Sequence, residues 1–200
     1  MKKIYLSTGN KGKISEIKKI LSDLNYSVYS KAELGINEEV EENADTLEGN
    51  SMLKAKFLKK FTDDIVMSDD TGLFVNSLGG RPGVYSARFA GEECDDFKNR
   101  KKLLSELDGK TDRSAYFETV ITIIYEKNNV HQAHGRVDGT ILTTEQGENG
   151  FGYDSIFMPD GFDKSFAQME DTEKNQISHR KRALENAKII LKDLNESSDN

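Results

Sequence analysis

Two hundred residues are ample for one domain with a real core, and 36% hydrophobic with 32% charged residues is the balance of a globular chain, not a disordered one. A formal net charge of −7 argues against binding nucleic acid polymers, whose affinity rests on neutralising many phosphates, but leaves room for a phosphorylated small molecule at a local basic cluster. Cys94 is the only cysteine, so an internal disulfide is excluded and a reducing compartment is expected.

The opening MKKIYLSTGNKGK starts like a signal peptide but carries only Ile4, Tyr5 and Leu6 as an apolar run. No stretch approaches the roughly 18 apolar residues of a membrane span, so a cytoplasmic protein without membrane association is expected. Residues 2–7 read as a buried strand, the run Thr8, Gly9, Asn10, Lys11, Gly12 as a turn, and Ile14, Ile17, Lys18, Leu21 and Leu24 as a helix. Residues 26–30 read as a second strand and 38–42 as an acidic loop or strand edge. Asp45 and Glu48 resemble a capping box ahead of Leu47, Ser51, Ala55 and Leu58, which predicts a helix over 45–61.

A third short strand at 65–67 runs into Ser68, Asp69, Asp70, Thr71 and Gly72. The stretch GGRPG at 79–83 reads as a loop, and 95–107 as an amphipathic helix. Residues 115–125 and 130–140 have the β-branched and aromatic content of paired strands, joined by a hairpin turn at 126–129. A glycine-rich loop follows at 147–154. Ser178 can cap a last helix through Ala183, Leu184, Ala187, Ile190, Leu191 and Leu194. The pattern predicts an α/β fold: an elongated mixed sheet flanked by helices, one domain of two lobes over 1–195, with a flexible tail at 196–200.

Four stretches carry chemistry. The turn before the first helix presents backbone N–H groups to an anion, and Lys13 in the first helical turn is unfavourable unless an anion offsets it. It is not a Walker loop, because Ile14 stands where a metal-binding hydroxyl is required, so any metal must be held by carboxylates elsewhere. Asp69 and Asp70, at the end of a short strand, supply hard oxygens of the kind magnesium prefers, and Glu41 and Glu42 offer a second acidic pair. Phe151, Gly152, Tyr153 and Asp154 combine small residues with aromatics on which a base can stack, and Asp154 can accept from a base edge or sugar. Lys174, His179 and Arg180 form a basic cluster between a flexible acidic stretch and the last helix. Taken singly, each has an ordinary structural reading: a tight strand-to-helix turn, an Asx-capped turn, a hairpin corner with a packed aromatic, a charged helix start. His131 and His134, three apart on a strand, face opposite sides and make a poor metal pair; Cys94 has no activating neighbour in sequence.

The order and spacing of STGNKGKISEI, EENADTLEGNSMLKAKF, SDDTGLFVNSLGGRPGVYSARFAG, GFGYD and ISHRKRAL strongly resemble the inosine triphosphate pyrophosphatase family, also called XTP/dITP diphosphatase, from residue 3 to about 191. The resemblance implies removal of deaminated purine nucleotides (ITP, dITP, XTP) as monophosphate and pyrophosphate, by a homodimer that holds the nucleotide in a cleft between its lobes. It implies that Thr8, Asn10 and Lys13 belong to the phosphate-binding turn, that Asp70 is the catalytic base and, with Glu42, a magnesium ligand, and that Asp69 lies alongside. Thr71 then contacts substrate, Phe151 to Asp154 bind the base, and Lys174, His179 and Arg180 complete the contacts. Whether Glu41 or Glu42 is the ligand stays open from sequence.

The chemistry agrees: phosphoryl transfer needs positioning and charge stabilisation, with no covalent nucleophile. Hypoxanthine and xanthine present an acceptor at position 6 where adenine presents a donor, so Lys, His and Arg donors suit the oxo bases. Guanine shares that oxygen, so its rejection must involve the 2-amino group. The alternatives are a similar pyrophosphatase for pyrimidine or modified nucleotides, and a non-catalytic nucleotide sensor, which would need the phosphate turn and the base loop but not two sets of acidic residues.

Overall fold

A computed structural model describes residues 2–126 and 129–196, so Lys127 and Asn128 of the expected hairpin turn and residues 197–200 of the expected tail lie outside the described residues. In chain order the elements are β1 (Lys2–Leu6), α1 (Lys11–Ile20), β2 (Tyr26–Ser30), α2 (Leu47–Lys59), β3 (Ile65–Val75), β4 (Pro82–Gly83), α3 (Asp96–Glu106), β5 (Ser114–Tyr125), β6 (Asn129–Ile141), β7 (Phe157–Pro159), α4 (Asp171–Ile177) and α5 (His179–Glu196). One mixed sheet takes the order β2-β1-β3-β5-β6-β7, with β4 paired to β3. β1 runs parallel to both β2 and β3, the pairing that helical crossovers allow, while β7 returns antiparallel to β6. The expected α/β class is therefore correct.

Two compact units are present. Among described residues the first comprises 2–70, 119–135 and 182–196, and the second Thr71–Glu118 and Arg136–Lys181. In the first unit, strand alternation sends Ile4, Leu6, Ile65, Met67, Ile121 and Ile123 into one cluster with Ile17 and Leu21 of α1 and Ala183, Leu184, Ala187 and Leu191 of α5. The residues between them, Tyr5, Val66 and Ile124, join Ala55 and Leu58 of α2 in another. So α1 and α5 cover one face of this part of the sheet and α2 the other. The second unit has its own core, built on Leu73, Leu103, Phe117, Ile141, Phe157 and Phe166.

Several boundaries differ from the expectations. Lys11 and Gly12 are already helical, so the first turn is shorter than the sequence suggests, and Asn10 is its N-cap. The N-cap of α2 is Thr46, whose hydroxyl accepts from Gly49 N–H at 3.0 Å, and Asp45 lies outside the helix. Asp69 and Asp70 are not at a strand end: β3 continues to Val75. The GGRPG stretch contains a short strand, since Pro82 and Gly83 pair with Phe74 and Leu73. The acidic stretch before the last helix is itself helical, as α4, and Asn195 and Glu196 still belong to α5. Ser178 does cap α5, accepting from Lys181 N–H at 3.2 Å.

Candidate active site

The parity of β3 decides where its two acids go. Residues 65, 67 and 69 share the face covered by α1; residues 66, 68 and 70 share the face covered by α2. Asp69 accordingly meets Lys13 of α1, with Nζ 2.7 Å from Oδ2. Asp70 meets Lys54 of α2, with Nζ 2.8 Å from Oδ1. Both aspartates are buried. The anion demanded by Lys13 at a helix N-terminus is thus found within the protein, and it is Asp69. Around it, Asn10 Oδ1 accepts from Lys13 N–H at 3.1 Å and Thr8 Oγ1 accepts from Asn10 N–H at 3.2 Å, so these two side chains first of all shape the turn.

On the other face Lys54 also holds Glu42, Nζ to Oε1 2.8 Å, which brings the Glu42 and Asp70 carboxylates to one point. Glu41 is exposed and is not brought there. Two buried hydroxyls in the same register seat α2: Ser68 Oγ donates to Ser51 O at 2.6 Å, Ser51 Oγ lies 3.2 Å from Ser68 O and Oγ, and Thr122 N–H donates to Ser51 Oγ at 3.1 Å. Lys54 is the residue that sequence reading missed. Its signal was available: with Leu47, Ser51 and Leu58 it lies on the inward stripe of α2, where an unpaired lysine would be costly.

Three carboxylates (Glu42, Asp69, Asp70) face two ammonium groups (Lys13, Lys54) here. Burial raises the Asp70 carboxyl above its ordinary value, the attraction of Lys54 opposes the rise, and Glu42 and Asp69 add to it. Burial pulls Lys54 down, but Asp70, Glu42 and Asp69 together outweigh it and leave its ammonium raised. Asp70 Oδ2 is buried without a hydrogen-bond partner among the described residues.

The remaining expected site residues lie in the second unit. Thr71 is half-buried in β3 directly after Asp70. Phe151 has its ring exposed (63%), whereas Tyr153 is buried, its hydroxyl donating to Ser86 O at 2.8 Å, and burial raises that hydroxyl well above its ordinary range. Tyr153 is thus an anchor, and Phe151 is the free aromatic face. Asp154 is buried as well. Its Oδ2 accepts from Phe151 N–H at 2.8 Å and from Lys174 Nζ at 2.6 Å, so its position is spent on the loop itself. The Lys174 ammonium sits 5.1 Å from the Phe151 ring centre. His179 is buried and stacks on Phe117, ring centres 4.8 Å apart, with Arg180 next to it in α5. Of the helical residues in the first turn, Gly12 adjoins Asn10, and a Cβ there would lie 3.2 Å from Asn10 Oδ1.

Gly150 is required by this geometry. Its φ is +78°, and a Cβ would fall 2.2 Å from Asp154 Oδ2. Gly150→Ala is therefore expected to cost about 1–3 kcal/mol and to displace Phe151, read as a lower Tm and a raised KM for substrate; an unchanged Tm and KM would contradict it.

The two rejected features have other partners: His131 Nε2 lies 3.1 Å from Tyr125 Oη, and His134 Nδ1 lies 3.9 Å from Glu48 Oε1. Cys94 is exposed.

A mixed α/β sheet thus carries a buried acidic pair whose members meet lysines of two different helices, and the Phe151 ring of the glycine-aromatic loop lies against the Lys174 ammonium. A sequence model of the Ham1 family matches residues 4–189, and the chain belongs to that family. It is 48% identical over 197 residues to the dITP/XTP pyrophosphatase of Thermoanaerobacter sp. (strain X514), covering 97% of this chain and 99% of that protein. The Staphylococcus aureus Ham1 protein has a similar structure, with TM-score 0.90 and 41% identity over 96% of this chain and 98% of that one. A HAM1 protein from Coxiella burnetii gives TM-score 0.92 at 34% identity, covering 96% and 100%.

Proposed function

We propose that this protein is a nucleoside triphosphate pyrophosphatase that hydrolyses deaminated purine nucleotides, dITP, ITP and XTP, to the monophosphate and pyrophosphate. The observation that carries the reading is the convergence of Glu42 and Asp70 on Lys54, with Asp70 Oδ2 buried and unpartnered. The family membership and the names of its relatives support the substrate class.

Glu42 and Asp70 are the residues that would hold a divalent cation. Two hard carboxylates with an excess of negative charge and an orphaned buried oxygen suit magnesium, with Asp69 held apart on the opposite strand face by Lys13. When bound, the cation supplies charge neutralisation for the triphosphate. Asp70 then accepts the proton of the water that attacks the α-phosphorus, and its raised proton affinity suits that task. Lys54 keeps Asp70 and Glu42 in place, while Lys13, the turn of Thr8, Gly9 and Asn10, and the first helical residues Lys11 and Gly12 receive phosphate oxygens. The base lies on Phe151, with Gly152 and Tyr153 holding the loop. Lys174, oriented by Asp154, donates to the base oxygen together with His179 and Arg180, and Thr71 adds a hydroxyl contact. Adenine, with its own donor at that position, leaves those donors unpaired.

We place the protein in the cytoplasm as a homodimer on the family resemblance; no described helix is long and apolar enough to cross a membrane. Sedimentation tests the dimer.

The reading is tested by pyrophosphate release across a nucleotide panel. ITP, dITP and XTP are expected to exceed ATP in kcat/KM by about 10²-fold or more. Release of orthophosphate instead of pyrophosphate, or faster turnover of dTTP or UTP than of ITP, would overturn it.

A further inference from the structure

The base loop is gripped from outside by one face of α3, where the residues sit at positions 96, 99 and 100, one helical turn. Asp96 Oδ2 accepts from Gly152 N–H at 2.8 Å, and Arg100 Nη1 donates to Gly152 O at 2.8 Å. Both polar groups of one loop residue are thus held by two side chains spaced four residues apart. Arg100 is itself fixed, its Nε donating to Glu145 Oε2 at 3.0 Å, and that same oxygen accepts from Ser155 Oγ at 3.0 Å. Between them Asn99, fully buried, accepts from Ala90 N–H at 2.7 Å and donates to Ala87 O at 2.8 Å, which anchors α3 next to the Ser86 carbonyl that holds Tyr153.

Gly152 has φ +62° with open space where a Cβ would stand, so packing alone does not hold its conformation. The neighbouring residues are tied down by Asp154 and Ser86. Asp154 holds Phe151 at its N–H, through Oδ2 at 2.8 Å, and at its carbonyl, through its own N–H at 3.2 Å, whereas among the described residues the N–H and the carbonyl of Gly152 are held by the α3 pair.

We infer that Asp96 and Arg100 are positioning residues for base selection: by holding both polar groups of Gly152 they set the height and tilt of the Phe151 ring against the incoming purine. The inference rests on the proposed role of this loop in binding the base. Discrimination between hypoxanthine and guanine turns on a single substituent at position 2, so a small displacement of the stacking surface changes which base fits. The reacting phosphate contacts are not made by this loop, so the effect falls on binding and selectivity and not on the chemical step.

The test is steady-state kinetics with ITP and GTP on the full chain, with the melting temperature measured alongside. Asp96 is exposed, so Asp96→Ala leaves the core intact. It is expected to raise KM for ITP and to lower the ITP-to-GTP ratio of kcat/KM by about threefold to tenfold, with kcat for ITP unchanged. Arg100→Ala does the same, and Arg100→Lys, which keeps a donor for the Gly152 carbonyl, recovers part of the selectivity. If the variants melt lower but keep the parental ratio, the α3 pair is merely structural and the inference falls. If the parent chain itself shows no preference for ITP over ATP, the proposed function fails first, a result distinct from unchanged selectivity in the variants.

Discussion

Asp70→Asn is expected to slow pyrophosphate release from ITP by about 10³-fold while leaving ITP binding within about threefold, and at the same time to melt at a higher temperature than the parent. The first effect follows from loss of the proton acceptor and of a cation-binding oxygen. The second follows from linkage. Asp70 is raised above its ordinary value of 3.8 by burial, with Glu42 and Asp69 adding to the rise against the pull of Lys54. A carboxyl whose folded value exceeds its unfolded one contributes stability below the unfolded value and loses it as pH rises through the folded value, so at neutral pH ionised Asp70 is a net cost. Asparagine has the shape of the neutral acid and removes that cost, leaving Lys54 paired with Glu42. Such an exchange of stability for activity is common at functional sites. Melting without divalent cation, turnover of ITP and equilibrium binding check the three parts; undiminished turnover would remove Asp70 from the mechanism, and a lower Tm would refute the charge argument.

Lys54→Met is expected to produce the largest loss of stability at this site. The lysine is buried and serves two carboxylates at 2.8 Å each. Removing it leaves Glu42 and Asp70 facing one another with no cation, and breaking a buried pair from one side costs about 3–5 kcal/mol. For a chain of this size that is a fall in Tm of about 10 °C. The loss is expected to shrink on acidification, because without Lys54 the Asp70 carboxyl rises further, and protonation restores what ionisation costs as pH falls through its folded value. It is also expected to shrink on adding magnesium, which replaces the missing positive charge, whereas magnesium has a smaller effect on the parent. Turnover of ITP falls by about 10²-fold, since the base and the cation-holding acids lose their fixed positions. Thermal melting at two pH values, with and without magnesium, decides this. A loss of stability indifferent to both would mean that Lys54 acts by packing its stem and not by its charge.

The class of fold and most elements were legible in the sequence because local signals and tertiary demands agree there: β-branched and aromatic content in 115–125, helical spacing in 183–194, and the Ser178 cap. They disagree around the acids. A pair of aspartates followed by Thr-Gly carries low strand propensity and reads as a turn, yet β3 extends through it to Val75, paired with β1 before it at residues 65–67 and with β4 after it at Leu73 and Phe74. The α4 stretch reads as loop since six of its seven residues are polar and bear no apolar stripe, and none of the seven is buried.

The candidate residues likewise stand out in the sequence by residue type and order alone. Which partner each takes was beyond it. Glu41 and Glu42 are equivalent in composition, and only the path of the chain before α2 sets Glu42 on Lys54. Phe151 and Tyr153 are both aromatic, yet one ring is exposed and the other is fastened inside by its hydroxyl. Asp154 is a fine acceptor for a ligand on paper, and in the folded chain it serves Phe151 and Lys174.

By itself, then, the sequence determined that the chain is an acidic α/β protein, that a turn, two acidic pairs, a glycine-aromatic loop and a basic cluster stand in one order, and that this order resembles one family. Those properties depend on residue identity and on spacing within a segment. Tertiary structure alone decided that adjacent Asp69 and Asp70 are divided between opposite faces of β3, each with its own lysine, and that Lys54 joins the set. The reason is physical: a strand alternates its side chains by geometry, but which helix covers each face, and which of its lysines is in reach, depends on contacts between residues far apart in the chain.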